Sequence, residues 1–248
     1  MVNLVAAQKP LLHGLMKMAG IVPYTVEIEP GTQMNFWIPS ETFNKSKDST
    51  TKLPKPNKPV VVLIHGFAAE GIVTWQFQIG ALTKNYSVYV PDLLFFGGSI
   101  TDSLDRSPKF QAVCLAKGIR KLGIENCTVV GFSYGGMLWF PDRLHRDFLE
   151  VMFNNRKERG ELLEGLIVSN KDTNIPKFSQ RIHLLWGEND QIFNLELAQA
   201  MKEQLGDNAT FQGIKKAGHL VHLERPCVYN RCLKHFLATL KTDKPKKG

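Results

Sequence analysis

The chain is short of cysteine, of acidic residues and of long apolar runs, and each shortage removes a class of protein. Its 248 residues hold four cysteines, Cys114, Cys127, Cys227 and Cys232, with no CxxC pair and no metal-ligand spacing. That excludes a disulfide-stapled secreted scaffold and a zinc module, and reads as four small buried hydrophobic residues in a reducing compartment. No run approaches the roughly 18 apolar residues of a membrane span. The start, "MVNLVAAQKPLLHGLMKMAGIV", is interrupted by Lys9, Pro10, His13 and Lys17 and lacks the charged start and apolar stretch of a signal peptide. A cytoplasmic location is expected, either free or peripheral to a membrane.

Lysine and arginine number 31 against 23 acidic residues, a formal charge of +8. The excess is local. Residues 45–58, "KSKDSTTKLPKPNK", carry +4 and the tail 241–248, "KTDKPKKG", carries +3, leaving about +1 for the rest. Both segments read as flexible and solvated. A nucleic-acid binder needs its basic residues clustered on a folded face with a recognition motif. Neither is present, so no nucleic-acid partner is expected.

What the chain does have is alternation of strand and helix patterns. Residues 1–20 contain an amphipathic helix: Leu11, Leu12, Leu15, Met16 and Ala19 recur at helical spacing, with Pro10 suited to a first turn. Two readings stand for it, packing on the protein's own body or lying in a membrane interface with its lysines outward. "YTVEIEPGTQMNFWIPS" reads as a hairpin about a Pro-Gly turn. Then "PVVVLIHGF" (59–67), "YSVYVPD" (86–92), "CTVVGFS" (127–133), "RIHLLWGEND" (181–190) and "ATFQGIKKAG" (209–218) read as strands separated by helical stretches. Apolar β-branched runs alternating with helices predict a mostly parallel sheet with flanking helices, an α/β class, in one domain spanning 1–248.

The chemistry gathers at strand ends. "GFSYG" (131–135) is a G-x-S-x-G elbow with a strand before it and helical residues after it. The flanking glycines suit a turn too tight for side chains. A nucleophilic serine needs a base, and the base a carboxylate to orient it. Acids follow in "LLWGENDQI" and histidines in "KKAGHLVHLERP", in the order Ser, Asp/Glu, His.

"HGF" (65–67), "PDLLFFGGS" (91–99), "GFSYGG" (131–136), "GENDQIF" (187–193) and "AGHLVHLERP" (217–226) together resemble the successive motifs of the α/β-hydrolase fold superfamily, in its serine esterase and lipase branch. The resemblance implies Ser133 as nucleophile, Asp190 as orienting acid and His219 as base, with His222 the alternative. It implies the backbone N–H groups of Phe67 and Tyr134 as the oxyanion hole. His65 is read as a structural residue of the HG turn and Asp92 as a loop carboxylate. The implied activity is hydrolysis of small-molecule esters or acyl lipids, with no metal and no cofactor. A C–C bond hydrolase shares this triad and stays open, whereas epoxide hydrolases and dehalogenases place aspartate at the elbow.

The chain departs from that pattern after the elbow. Pro141 follows within three turns, and residues 141–175 read as a remnant of a helical cap. A core helix and strand, about 25 residues by typical lengths, are missing, so a truncated core and shortened cap are expected. "GLIVSN" (165–170) is the one local run able to replace the strand. The second reading is therefore a catalytically silent member of the fold with a binding role or none.

Overall fold

The computed structural model describes residues 4–42, 55–67, 69–135, 158, 160–162 and 178–242. They belong to two compact units, Met1–Val168 and Ser169–Gly248.

In the first unit, helix α1 (Leu4–Met18) precedes strands β1 (Ile21–Glu29) and β2 (Thr32–Pro39). The helix starts earlier than its periodicity suggested. Pro10 therefore falls in the second turn, where it removes one hydrogen bond, rather than in the first. β1 and β2 pair antiparallel through the Pro30-Gly31 turn, with Gly31 at φ 78, a conformation that glycine alone takes without steric cost. Strand β3 (Val60–Ile64), helices α2 (Gly71–Thr74) and α3 (Gln76–Leu82), strand β4 (Ser87–Pro91), the short β5 (Ile100–Thr101), helix α4 (Pro108–Lys121) and strand β6 (Thr128–Gly131) follow. Helix α4 begins as its sequence dictates: the Ser107 side chain accepts from Phe110 N, Pro108 opens the first turn, and Arg120 and Lys121 sit at the negative end.

The sheet order is β1-β2-β4-β3-β6, with β5 added to β2. β3 is parallel to β4 on one side and to β6 on the other. Burial follows position. All five residues of β4 and four of five in β3 are buried, as expected of a parallel strand covered on both faces. β6 is different. None of its four residues is buried, and Val129 is 53% exposed.

The second unit holds β7 (Ile182–Gly187), helix α5 (Leu195–Leu205), β8 (Ala209–Ile214), the short helix α6 (Val221–Glu224) and helix α7 (Pro226–Thr242). β7 and β8 pair in parallel as a separate two-stranded sheet. Among the described residues β6 pairs only with β3, so the core is truncated on that side. The "GLIVSN" run, residues 45–54 of the basic loop, tail residues 243–248 and most of 141–175 lie outside the described residues. Of residues 141–175, Leu162 is buried in the cluster that contains Phe67 and Tyr134, and Glu161 pairs with Arg106 at 2.8 Å.

The four cysteines are free, but only Cys114 is buried; Cys127 and Cys227 are exposed. Burial pushes the Cys114 thiol up to about 11, far from the thiolate form that reacts.

Candidate active site

The first unit presents the serine. β6 ends at Gly131, Phe132 N donates to Ile64 O at 3.1 Å, and Ser133–Gly135 make a single tight turn. Ser133 adopts φ 49. A non-glycine residue in the left-handed region costs on the order of 1–3 kcal/mol and is held only where its surroundings enforce it. Those surroundings include Gly66, whose absent side chain is required. A Cβ there would stand 2.8 Å from Phe132 Cδ1 and 3.1 Å from Ser133 Cβ. The backbone after β3 therefore runs directly beside the serine.

Phe67 and Tyr134, the neighbours of Gly66 and Ser133 in the chain, are both buried and meet edge-to-face with ring centroids 5.4 Å apart. Burial pushes the Tyr134 phenol well above its ordinary range, so it stays neutral. The loop that carries Phe67 is fixed by two neighbours. His65 Nε2 accepts from Leu93 N at 2.9 Å, which puts the ring proton on Nδ1, 2.6 Å from Gly66 O. Asp92 is buried and accepts from Gly71 N at 2.8 Å and from Asn35 Nδ2 at 2.7 Å. Both residues hold loops, as their positions implied.

The second unit presents Asp190 and His219. Asp190 follows β7 and is fixed at both oxygens. Oδ1 accepts from Ile192 N and Phe193 N, each at 2.8 Å, and Oδ2 takes His219 Nδ1 at 2.9 Å. The two side chains are 5% and 11% exposed. Burial alone would raise the Asp190 pKa, but the His219 contact and the two amides outweigh it and hold the carboxyl below its ordinary value. The Phe193 ring stands edge-on to His219 at 4.9 Å. The two loops are joined by Asn189 N donating to Ala217 O at 2.9 Å, and Gly187 leaves no room for a side chain, its Cβ position lying 2.1 Å from Gly218 O. His222 is fully buried and meets the Tyr229 ring at 6.0 Å; Asp190 pairs with His219.

Thus Ser133, Phe67 and Tyr134 come together in one unit, and Asp190 and His219 in the other. Two residues that the sequence analysis passed over stand beside them: Gly66, and Glu224, whose carboxylate accepts from Gly218 N and Leu220 N on either side of His219. Among the described residues no group of three His, Cys, Asp or Glu side chains could hold a metal ion.

Serine elbow, parallel strands and flanking helices define the α/β-hydrolase fold. Residues 59–140 match the model of the alpha/beta hydrolase fold family, and the chain as a whole carries that fold. A protein of Acinetobacter baumannii AYE assigned as a lipase superposes with a TM-score of 0.76 at 19% identity, covering 95% of this chain and 97% of that one. Carboxylesterase CesB of Bacillus subtilis superposes with a TM-score of 0.61 at 16% identity, covering 93% and 98%. An uncharacterised protein of Mycobacterium tuberculosis (strain ATCC 25618 / H37Rv) is 35% identical over 78 residues. That match spans 32% of this chain and 23% of the relative's length. The chain is an α/β-hydrolase-fold protein.

Proposed function

We propose that the chain is a serine hydrolase acting on carboxylic esters. The observation that carries this reading is the His219–Asp190 pair at 2.9 Å, which follows an elbow serine in the order that acyl transfer on this fold uses. In this scheme Ser133 Oγ attacks the ester carbonyl carbon while His219 Nε2 takes its proton. Asp190 keeps the imidazole's other proton on Nδ1 and stabilises the imidazolium. The tetrahedral oxyanion is held by the N–H groups of Phe67 and Tyr134. Collapse breaks the ester C–O bond, and His219 returns the proton to the leaving alcohol. Water then attacks the acyl-enzyme by the same steps and releases the acid and free Ser133.

A fluorophosphonate probe with peptide mapping tests the scheme, because it needs an activated serine and an oxyanion hole but little substrate specificity. Labelling at Ser133, abolished in Ser133→Ala and His219→Gln, is expected. A cooperatively folded chain that stays unlabelled would favour the second reading, a catalytically silent member of the fold. That reading draws on the half-covered β6 and the separate β7–β8 sheet.

The partner reading extends to a membrane surface. Among the described residues no helix is long and apolar enough to cross a membrane. Helix α1 buries Leu12 and Met16 yet exposes Leu11, Leu15 and Met18, a second apolar stripe at positions i, i+4 and i+7. With Lys17 beside the stripe, we place this helix at an anionic lipid surface, peripherally bound.

A further inference from the structure

The loop bearing His219 is held by a carboxylate that the reaction scheme leaves unused. Glu224 is the last residue of α6, and its side chain turns back over the start of that helix. Oε2 accepts from Gly218 N at 2.6 Å and Oε1 accepts from Leu220 N at 3.1 Å. These are the two amides flanking His219. Glu224's own N–H donates to Leu220 O at 2.8 Å, so residues 218–224 close on themselves. A Cβ on Gly218 would stand 3.1 Å from Oε1, so a glycine gives the carboxylate its approach.

The other side of the loop is tied to the acid. Asn189 N donates to Ala217 O, and the Gly187 backbone packs against the carbonyls of Ala217 and Gly218. His219 therefore sits between two anchors, one from the Asp190 loop and one from Glu224, all within one unit.

We infer that Glu224 is a positioning residue for His219: its carboxylate clamps the backbone on both sides of the base and so holds the imidazole at Asp190. A carboxylate taking two N–H groups makes charge-assisted hydrogen bonds stronger than neutral ones. The bond at one ring nitrogen of a histidine decides which nitrogen carries the proton. Loosening residues 218–220 releases the Nδ1–H contact with Asp190 and with it the tautomer that leaves Nε2 free to accept a proton. Glu224 touches neither substrate nor reacting atoms, so it acts on the rate constant of the chemical step and leaves KM alone.

The test uses Glu224→Ala and Glu224→Gln in the full chain, with the histidine rings labelled in ¹⁵N and the His219 signals assigned by their loss in His219→Gln. In the parent, the His219 ring is expected to carry its proton on Nδ1. In Glu224→Ala the tautomer moves toward Nε2–H, and Ser133 labelling slows on the order of 10–100-fold, the range that a misplaced catalytic group costs. The final labelled fraction stays that of the parent. Glu224→Gln keeps one acceptor oxygen and falls between, and it reads the same quantities should the alanine variant not fold. An unchanged tautomer and labelling rate, with only a lower melting temperature or labelled fraction, would assign Glu224 to the fold alone and overturn the inference. The labelling readout rests on the hydrolase reading; the tautomer readout does not and is repeated in Ser133→Ala. An inert Ser133 thus counts against the hydrolase alone, and an unmoved tautomer counts against Glu224 alone.

Discussion

His219 Nδ1 stands 2.9 Å from Asp190 Oδ2, while the carboxylate's other oxygen is occupied by the amides of Ile192 and Phe193. The acid is thus oriented by its own loop before the histidine arrives, which makes the pair rigid at both ends. Asp190→Asn keeps the shape but turns an amide NH2 toward Nδ1–H, donor against donor. Ester turnover and Ser133 labelling are expected to fall on the order of 10³–10⁴-fold with the fold retained. A variant within tenfold of the parent would remove Asp190 from the scheme.

The same carboxyl sets a pH dependence of stability. Its folded pKa is held below the ordinary value by the His219 contact and the amides of Phe193 and Ile192, which together outweigh its burial. A group whose pKa is depressed on folding contributes stability while ionised. That contribution is complete above the unfolded value of about 3.9 and is lost as pH falls through the folded value. Urea unfolding of the parent and of Asp190→Asn between pH 3 and 7 should show a constant gap down to about pH 4 that narrows below it. Parallel curves over the whole range would contradict the depressed carboxyl.

Gly66 has no side chain because Phe132 and Ser133 occupy the place where one would stand. Gly66→Ala forces the Phe132 ring and the strained Ser133 turn to move. A destabilisation of about 1–3 kcal/mol is expected for overpacking of this kind, together with a slower fluorophosphonate reaction at Ser133. Calorimetry and labelling rates read the two effects separately. A neutral result in both would mean that the close approach to the serine has no consequence.

Leu11, Leu15 and Met18 are 68%, 44% and 78% exposed along one face of α1. Changing all three to serine leaves the buried Leu12 and Met16 in place and removes the apolar surface offered to lipid. The parent should sediment with phosphatidylserine-containing vesicles, weakly so at high salt. The triple variant should lose at least about tenfold in binding, given the area withdrawn. Equal sedimentation of the two would place any lipid contact elsewhere.

The parallel-paired strands were legible because each is a short β-branched run bounded by turn residues, and all five runs became strands within a few residues of their predicted limits, three in one sheet and two in another. The truncated core was legible too, from Pro141 so soon after Ser133. What the sequence could not show was proximity. Gly66 is one glycine among 20 until the Phe132 ring and Ser133 Cβ come within a few ångströms of it. Glu224 was within reach, a carboxylate five residues past the base, but its target is backbone and leaves no side-chain signature. Cys127 was misjudged for a related reason: it leads into β6, none of whose residues is buried.

That uncovered strand gives the last prediction. Val62 in β3 is fully buried, whereas Val129 in β6, its paired neighbour, is 53% exposed. Threonine matches valine in shape and in β-branching, so Val62→Thr and Val129→Thr compare burial alone. Val62→Thr places a hydroxyl without water in the core and should cost about 1–3 kcal/mol. Val129→Thr should lie within about 0.5 kcal/mol of the parent, as surface changes do. Guanidinium unfolding of both variants measures the difference. If Val129→Thr costs as much as Val62→Thr, β6 is covered in solution and the sheet is closed there. If it is neutral, an α/β-hydrolase fold stands with an open core strand beside its serine, and whether Ser133 still reacts becomes a question about the acid–base pair rather than the elbow.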